Sequence, residues 1–208
     1  EAARHDIPVV LNLDHGLHFE AVVRALRLGF SSVMFDGSTL SYEENIRQTR
    51  EVVKMCHAVG VSVEAELGAV GGDEGGALYG HADESLFTDP MLARDFVDRT
   101  GIDALAVAIG NAHGKYKGEP LLDFPRLDAI RQQAAIPLVL HGGSGISDDD
   151  FKRAIELGIH KINFYTGMSQ AALSAVETRM ANRQPLYDEF AELLLGIEEA
   201  ITDTVSEQ

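Results

Sequence analysis

PLVLHGGSGISDDDF, residues 137–151, contains a strand signal, a glycine-rich loop and a helix start in direct succession. PLVL is a short apolar run typical of a buried strand. Ser147 can accept a hydrogen bond from the first turn of a helix, and the acidic residues after it suit the positive end of the helix dipole. The stretch therefore predicts one βα unit, with consecutive glycines between the strand and the helix.

The same order recurs along the chain, since short apolar runs alternate with amphipathic segments. Glycine, which adopts the left-handed conformation easily, closes four predicted helices at Gly29, Gly60, Gly101 and Gly158. Strands that alternate with helices pair in parallel, so the sequence predicts an α/β fold with one parallel sheet. The predicted strands are residues 7–13, 31–35, 61–67, 104–109, 137–140 and 161–164.

Helix-start signals support this interpretation. Ser41 with Glu44 three residues later predicts a capping box, and Asp89 before Pro90 predicts an N-cap followed by proline at the first helical position. No low-complexity linker divides the chain, so we expect residues 1–208 to form a single domain. From about residue 185 the tail is expected to be helical, with an end that frays.

Composition excludes several classes of partner. The chain has 17 basic and 33 acidic residues, a formal net charge of −16, which disfavours binding to nucleic acid or to anionic membranes. No apolar stretch approaches the roughly 20 residues of a membrane span, and the first residues do not resemble a signal peptide, so we expect a cytoplasmic protein. The single cysteine, Cys56, excludes an intramolecular disulfide and a thiolate metal cluster.

Polar side chains end every predicted strand. Because the loops after parallel strands converge over one crevice, these residues are expected to share one face of the sheet. They are Asp14, His15, Asp36, Glu64, Glu66, Asn111, His113, His141 and Asn163.

Three of these residues are histidines, namely His15, His113 and His141. Catalytic zinc is commonly held by three protein ligands with the fourth position open, and imidazole is a suitable ligand. The alternative for each histidine is a structural hydrogen bond at a strand end. The remaining histidines are expected to be structural or to face solvent: His5, His18, His57, His81 and His160.

Two glycine-rich segments suggest further functional loops. HGGSG (141–145) can point backbone N–H groups at a phosphate, with Asn163, Tyr165 and Thr166 after the next strand; the alternative is a flexible turn. GAVGGDEGGALYG (68–80) is long for a connection and is interpreted as a mobile lid. Glu74 at its centre can act as a base, or can simply be solvated.

With these residues in place, the chain resembles the class II, zinc-dependent ketose-bisphosphate aldolases of the fructose- and tagatose-bisphosphate type. The resemblance runs in family order through NLDHG (12–16), SVMFDGS (32–38), VEAELGAVGGDEGG (63–76), AVAIGNAHGKYKG (106–118), PLVLHGGSGIS (137–147) and KINFYT (161–166). It implies a (β/α)8 TIM barrel in a homodimer or homotetramer.

The resemblance also implies roles for individual residues. His15, His113 and His141 would bind the catalytic Zn²⁺, while Glu66 and Asp36 would bind or steer the metal, including a second metal position. Asp14 would protonate the aldehyde oxygen during aldol addition, and Glu74 would take a proton from the triose carbon. A monovalent cation is a further possible cofactor. The implied substrate-binding residues are Gly114, Gly142, Gly143, Ser144, Asn163, Thr166 and Lys117.

The implied reaction is the reversible cleavage of a ketose 1,6-bisphosphate, tagatose or fructose, to dihydroxyacetone phosphate and an aldehyde such as glyceraldehyde 3-phosphate. Zinc can stabilise the enediolate that this lyase reaction forms. No lysine is isolated at a central strand end as a Schiff-base residue, since Lys161 begins its predicted strand. The alternatives are a non-catalytic sugar-phosphate-binding protein or inactive fragment, and a metal-dependent sugar-phosphate epimerase.

Two features depart from the family pattern. Tyr165 stands where relatives carry a small or polar residue, which leaves the exact sugar open. The family also has two βα units before NLDHG, and a complete barrel typically takes about 250 residues. We therefore expect six strands with two unpaired edges, and either further residues before Glu1, a shortened chain or an assembly that covers the gap.

Overall fold

A computed structural model describes residues 7–72, 84–116, 118–182 and 190–207. The strands are β1 (Asn12–Gly16), β2 (Ser32–Phe35), β3 (Ser62–Leu67), β4 (Ala104–Val107), β5 (Leu138–Leu140) and β6 (Ile159–Ile162). The helices are α1 (Phe19–Arg27), α2 (Tyr42–His57), α3 (Pro90–Thr100), α4 (Phe124–Ala134), α5 (Asp148–Glu156), α6 (Thr166–Ala181), α7 (Phe190–Leu193) and α8 (Ile197–Ser206), with a short 3-10 helix at Glu84–Leu86.

The six strands form one parallel sheet in the order in which they occur along the chain. Helices alternate with the strands, which confirms the predicted α/β fold and gives six βα units of a (β/α)8 barrel. Within the described residues, β1 and β6 each pair on one side only. The sheet is therefore an open part of a barrel.

The bounds of three predicted strands were wrong. Residues 7–11 do not belong to the first strand, and Ile7, Val9 and Val10 are 66%, 60% and 61% exposed. Pairing with β2 begins only near Leu11, whose carbonyl accepts from the Ser31 N–H. The fourth strand ends at Val107 and the sixth spans Ile159–Ile162, because strand ends are set by the pairing partner and not by the apolar run alone.

Side-chain alternation along the strands divides the sheet into two faces. Val33, Ala65 and Leu105 belong to the main core between the sheet and its helices. Met34, Ala106 and Val139 form a separate small cluster, which belongs to the opposite, inner face. Register places Glu64 beside Met34 and Lys161 beside Val139, so charged groups share this inner face.

The helix starts agree with two of the three predictions. Asp89 accepts a hydrogen bond from the Met91 N–H, and Ser147 accepts one from the Asp150 N–H. The capping box at Ser41 is absent from the described structure, because the Glu44 carboxylate binds Arg47 and Gln48 instead. The four predicted helix-closing glycines all have positive φ, between 74° and 102°.

The tail that was predicted from about residue 185 contains two helices among its described residues, α7 and α8. α6 ends at Ala181, residues 183–189 lie outside the described residues, and α8 continues to Ser206 and packs against α6. Of the helices that the structure describes, none has the length and apolarity that a bilayer crossing requires.

Candidate active site

Three histidine side chains converge at the C-terminal end of the sheet. His15 lies in β1, and His113 and His141 follow β4 and β5. Their ring centroids are 4.7 to 5.5 Å apart, and one nitrogen of each ring lies within 4.8 Å of the others. The structure therefore brings the three predicted histidines together.

A β-bulge in β1 lets two consecutive residues reach this cluster. The register of β1 on β2 shifts between Leu13 and Gly16, and His15 has a φ of 45°. In a regular strand neighbouring side chains point to opposite faces, so Asp14 and His15 could not both face the site. The left-handed conformation is strained for a residue with a Cβ, a feature common at functional sites.

Asp36, directly after β2, holds the outer nitrogen of His15. His15 Nδ1–H donates to Asp36 Oδ2 at 2.8 Å, and the Ser38 N–H donates to Asp36 Oδ1 at 3.0 Å. Burial opposes the charged forms of both side chains, but their mutual hydrogen bond and the nearby charges outweigh it. The pKa of Asp36 is lowered to about 2 and the pKa of His15 is raised.

Glu64 holds the outer nitrogen of His141 in the same way, from the middle of β3 and not from its end as predicted. His141 Nε2–H donates to Glu64 Oε1 at 2.8 Å, and Lys161 Nζ donates to Glu64 Oε2 at 2.6 Å. Burial alone would raise the pKa of Glu64, but His141 and Lys161 lower it. The inner nitrogens, His15 Nε2 and His141 Nδ1, then face each other at 3.0 Å.

Two buried atoms of this cluster lack a hydrogen-bond partner within the described part of the chain: His113 Nε2 and Glu66 Oε2. Burial, followed by the charges of His15 and His141, lowers the pKa of His113 to about 4. Burial, followed by the charge of Asp36, raises the pKa of Glu66 to about 8. Because buried polar atoms are normally paired, each of these atoms requires a partner, such as a water or an ion, that the described side chains do not supply.

The donor set suits a divalent transition-metal ion. His15, His113 and His141 form one group of converging donors, and His15, Asp36 and Glu66 form a second. Imidazole nitrogens and carboxylate oxygens are common ligands of such ions, and with both outer N–H groups donated to carboxylates, the inner nitrogens present lone pairs to one point. The residues can therefore hold a metal ion.

The histidine cluster opens into a cavity of about 410 Å³, a size typical of a small-molecule site. Asp14 lines the cavity with a partly exposed carboxylate, whose Oδ1 lies 4.0 Å from His15 Nε2 and accepts from Asn163 Nδ2 at 2.9 Å. The other predicted site residues in its lining are His113, Gly114, His141, Gly142, Ser144, Asn163 and Thr166. The cavity thus joins the possible metal ligands to the predicted phosphate loops.

The glycine-rich loop after β5 is packed tightly against the loop after β4. Gly142 has a φ of 67°, and a Cβ at this position would lie 2.0 Å from Ala112 O. The Gly143 N–H donates to Asn163 O at 2.9 Å. The resemblance assigns Gly143 to substrate binding, but its N–H can take that role only if this backbone bond breaks.

Tyr116 is a residue of this site that sequence reasoning missed. Its hydroxyl accepts from the Ala112 N–H at 2.8 Å and donates to Gly142 O at 3.0 Å. It therefore ties the loop that carries His113 to the glycine-rich loop. A tyrosine between two lysines in GNAHGKYKG has no spacing signal that distinguishes it from an ordinary surface or core aromatic residue.

Two predicted site residues, Glu74 and Lys117, lie outside the described residues. Tyr165, which departs from the family pattern, lines the cavity with a largely exposed ring. Ser144 accepts from the Gly167 N–H at 2.9 Å and so connects the glycine-rich loop to the start of α6.

Comparisons with known proteins agree with this geometry. The family model "Fructose-bisphosphate aldolase class-II" matches residues 1–208. A probable fructose-bisphosphate aldolase of Bacillus subtilis is 44% identical over 199 residues, which cover 96% of this chain and 68% of the relative. A fructose-bisphosphate aldolase of Staphylococcus aureus (strain Mu50) is 44% identical over 209 residues, which cover 99% of this chain and 72% of the relative.

Solved structures point to the same family. The crystal structure of the YdjI aldolase from Escherichia coli K12 superposes with a TM-score of 0.82 at 40% identity, over 99% of this chain and 70% of that one. A putative fructose-1,6-bisphosphate aldolase from Coccidioides immitis gives a TM-score of 0.82 at 34% identity, over 97% and 70%. The chain therefore belongs to the class II fructose-bisphosphate aldolase family, and it is an aldolase, a carbon–carbon lyase.

Proposed function

We propose that this aldolase depends on zinc and reversibly cleaves a ketose 1,6-bisphosphate, fructose or tagatose, to dihydroxyacetone phosphate and glyceraldehyde 3-phosphate. The observation that carries the proposal is the convergence of one ring nitrogen from each of His15, His113 and His141, all within 4.8 Å of one another, at the wall of a cavity of about 410 Å³. A metal-binding position next to a cavity whose lining includes Gly142, Asn163 and Thr166 suits a phosphorylated ketose.

In this proposal His15, His113 and His141 hold the zinc ion, and Asp36 and Glu66 belong to a second donor group that shares His15. The chemistry that zinc supplies when bound is Lewis-acid stabilisation of negative charge on the substrate oxygens. Asp36 and Glu64 fix the orientation of two of the three rings through their outer N–H groups. The ligands are thus held in place before substrate arrives.

Asp14 is proposed to move the proton of the reacting hydroxyl. In the cleavage direction it would take this proton, and in the addition direction it would return the proton to the aldehyde oxygen. Its partly exposed carboxylate lies on the cavity wall near His15, and Asn163 holds one of its oxygens. Glu74 would exchange the proton at the triose carbon, a role that the family resemblance alone suggests.

Phosphate recognition is proposed to use backbone and neutral groups. Gly114, Gly142, Ser144 and Thr166 line the cavity, and Thr166 is the first residue of the 16-residue helix α6. The amino end of a helix favours an anion through its free N–H groups and its dipole. In a chain with a net charge of −16, such local groups can hold a phosphate without a basic patch. Lys117 would add positive charge, and a monovalent cation would assist.

The test is a coupled triose-phosphate assay with fructose and tagatose bisphosphates and their monophosphates. We expect cleavage of a bisphosphate that EDTA abolishes and zinc restores. His113→Ala should lose both zinc binding and cleavage, whereas His18→Ala, an exposed histidine before α1, should retain both. Cleavage that survives EDTA would refute the zinc proposal. Bound zinc without cleavage of any of the four sugars would instead favour a sugar-phosphate-binding protein or an epimerase.

A further inference from the structure

Lys161 lies inside β6, whereas the sequence predicted that it begins this strand. It is the third residue of β6, and its Nζ lies 2.6 Å from Glu64 Oε2 on the inner face of the sheet. The Lys161 side chain is 37% exposed, whereas the Glu64 side chain is 4% exposed. The pair therefore joins two strands that are not neighbours, β3 and β6, across the inner face.

The other oxygen of Glu64 continues this connection to β5. Glu64 Oε1 accepts from His141 Nε2 at 2.8 Å, and the His141 side chain is 1% exposed. A neutral imidazole carries one N–H, and a carboxylate only accepts, so the proton on Nε2 leaves the lone pair on Nδ1. Nδ1 is the atom that faces His15 Nε2 at 3.0 Å.

We propose that Lys161 is a positioning residue for the metal centre: by holding Glu64, it fixes the His141 ring so that Nδ1 faces the metal ion. This inference rests on the proposed zinc site. Partners of the second ring nitrogen commonly fix the orientation of a metal-binding histidine. A buried carboxylate that has lost its cation is also held less firmly, because the single hydrogen bond from His141 then compensates only part of its removal from water.

The second oriented histidine provides an internal comparison. His15 also donates its outer N–H to a carboxylate, but among the residues that the structure describes, Asp36 is held by the Ser38 N–H and not by a cationic side chain. A change at Lys161 should therefore disturb the ring of His141 and leave the ring of His15 in place. A purely structural ion pair would affect unfolding without this selectivity.

The experiment compares Lys161→Met and Lys161→Arg with the unchanged chain. The matched control is Lys152→Met, which removes a lysine that lies 4.0 Å from Asp149 on the exposed surface of α5. Zinc affinity is measured by competition with a chromophoric chelator. The ring nitrogens of the metal-free chain are observed by ¹⁵N NMR of labelled histidine. Both measurements are independent of cleavage activity.

We expect Lys161→Met to weaken zinc binding on the order of tenfold, the lower end of what partners of metal ligands contribute. The signals of both His141 nitrogens should change, while the signal of His15 Nδ1, which donates to Asp36, should remain. Lys161→Arg, which keeps the cation, should restore most of the affinity, and Lys152→Met should bind zinc normally. If the Met variant fails to fold, Lys161→Arg and Glu64→Gln carry the test, with weaker zinc binding expected only for Glu64→Gln.

Three results would overturn the inference: normal zinc affinity in Lys161→Met or Glu64→Gln, equal losses in the Met and Arg variants, or an unchanged chain that binds no zinc. The last result would also remove the proposed metal site. A chain that binds zinc but cleaves no ketose bisphosphate would refute the proposed function alone, because the comparison of zinc affinities would still decide the role of Lys161.

Discussion

Glu66→Gln should stabilise the metal-free chain, and increasingly so as the pH rises. Glu66 is 1% exposed, and only one of its oxygens has a partner within the described residues, the Val70 N–H at 2.7 Å. Burial and then the charge of Asp36 raise the pKa of Glu66 from 4.5 to about 8. Without a metal ion, the folded chain therefore resists ionisation of this carboxyl group.

The sign follows from proton binding. Between pH 4.5 and about 8 the unfolded chain has lost the Glu66 proton while the folded chain still keeps it, so the free energy of unfolding falls as the pH rises. A tenfold change in a protonation equilibrium corresponds to about 1.4 kcal/mol, which makes the total cost about 4–5 kcal/mol at pH 8 and less than about 1 kcal/mol at pH 5. Gln does not ionise and avoids this cost.

The assay is urea unfolding in EDTA at pH 5 and pH 8, for the unchanged chain and for Glu66→Gln. The gain in unfolding free energy from the substitution should be about 3–4 kcal/mol larger at pH 8. The ionisation of His113 contributes about equally to the two chains at each pH. The cost of an unpaired amide in Glu66→Gln is about the same at both pH values. Both contributions therefore largely cancel when the gains at pH 5 and pH 8 are compared. Glu51→Gln, on the exposed side of α2, controls for the lost charge. A gain that is the same at both pH values would refute the reasoning.

Two further substitutions test the packing of the site loops. Gly142→Ala should destabilise the chain by more than about 2 kcal/mol in urea unfolding, because its φ is 67° and the new Cβ would lie 2.0 Å from Ala112 O; an unchanged midpoint would contradict this contact. Tyr116→Phe should cost about 1–3 kcal/mol and raise the KM for a ketose bisphosphate more than it lowers kcat, since it leaves the Ala112 N–H and Gly142 O without their shared partner. Equal stability of the two chains would show that this hydroxyl is dispensable.

Local signals in the sequence were sufficient for the order of the strands and helices. Asp89 and Ser147 cap helices through their own neighbours, and Gly101 and Gly158 end helices because their φ is positive, so each choice depends on a few adjacent residues. The wrong prediction of a capping box at Ser41 also has a local cause. Glu44 lies within reach of Arg47, and this ion pair replaced the expected hydrogen bond to the Ser41 backbone.

Strand ends were predicted less well, because they depend on partners that are distant in sequence. The apolar run 7–13 predicts a strand over all seven residues, yet β1 begins at Asn12, where β2 provides a hydrogen-bonding partner. For the same reason β6 begins at Ile159, opposite Leu138.

By itself, the sequence determined the alternating fold, the convergence of His15, His113 and His141 at one end of the sheet, and the family. The orientation of their imidazole rings was decided by the tertiary structure alone. The bulge in β1, where its register on β2 shifts, turns both Asp14 and His15 towards the site. The Lys161–Glu64 pair connects β6 to β3 and holds His141 after β5. Their geometry depends on strand register, and a one-residue change of register points a side chain to the opposite face.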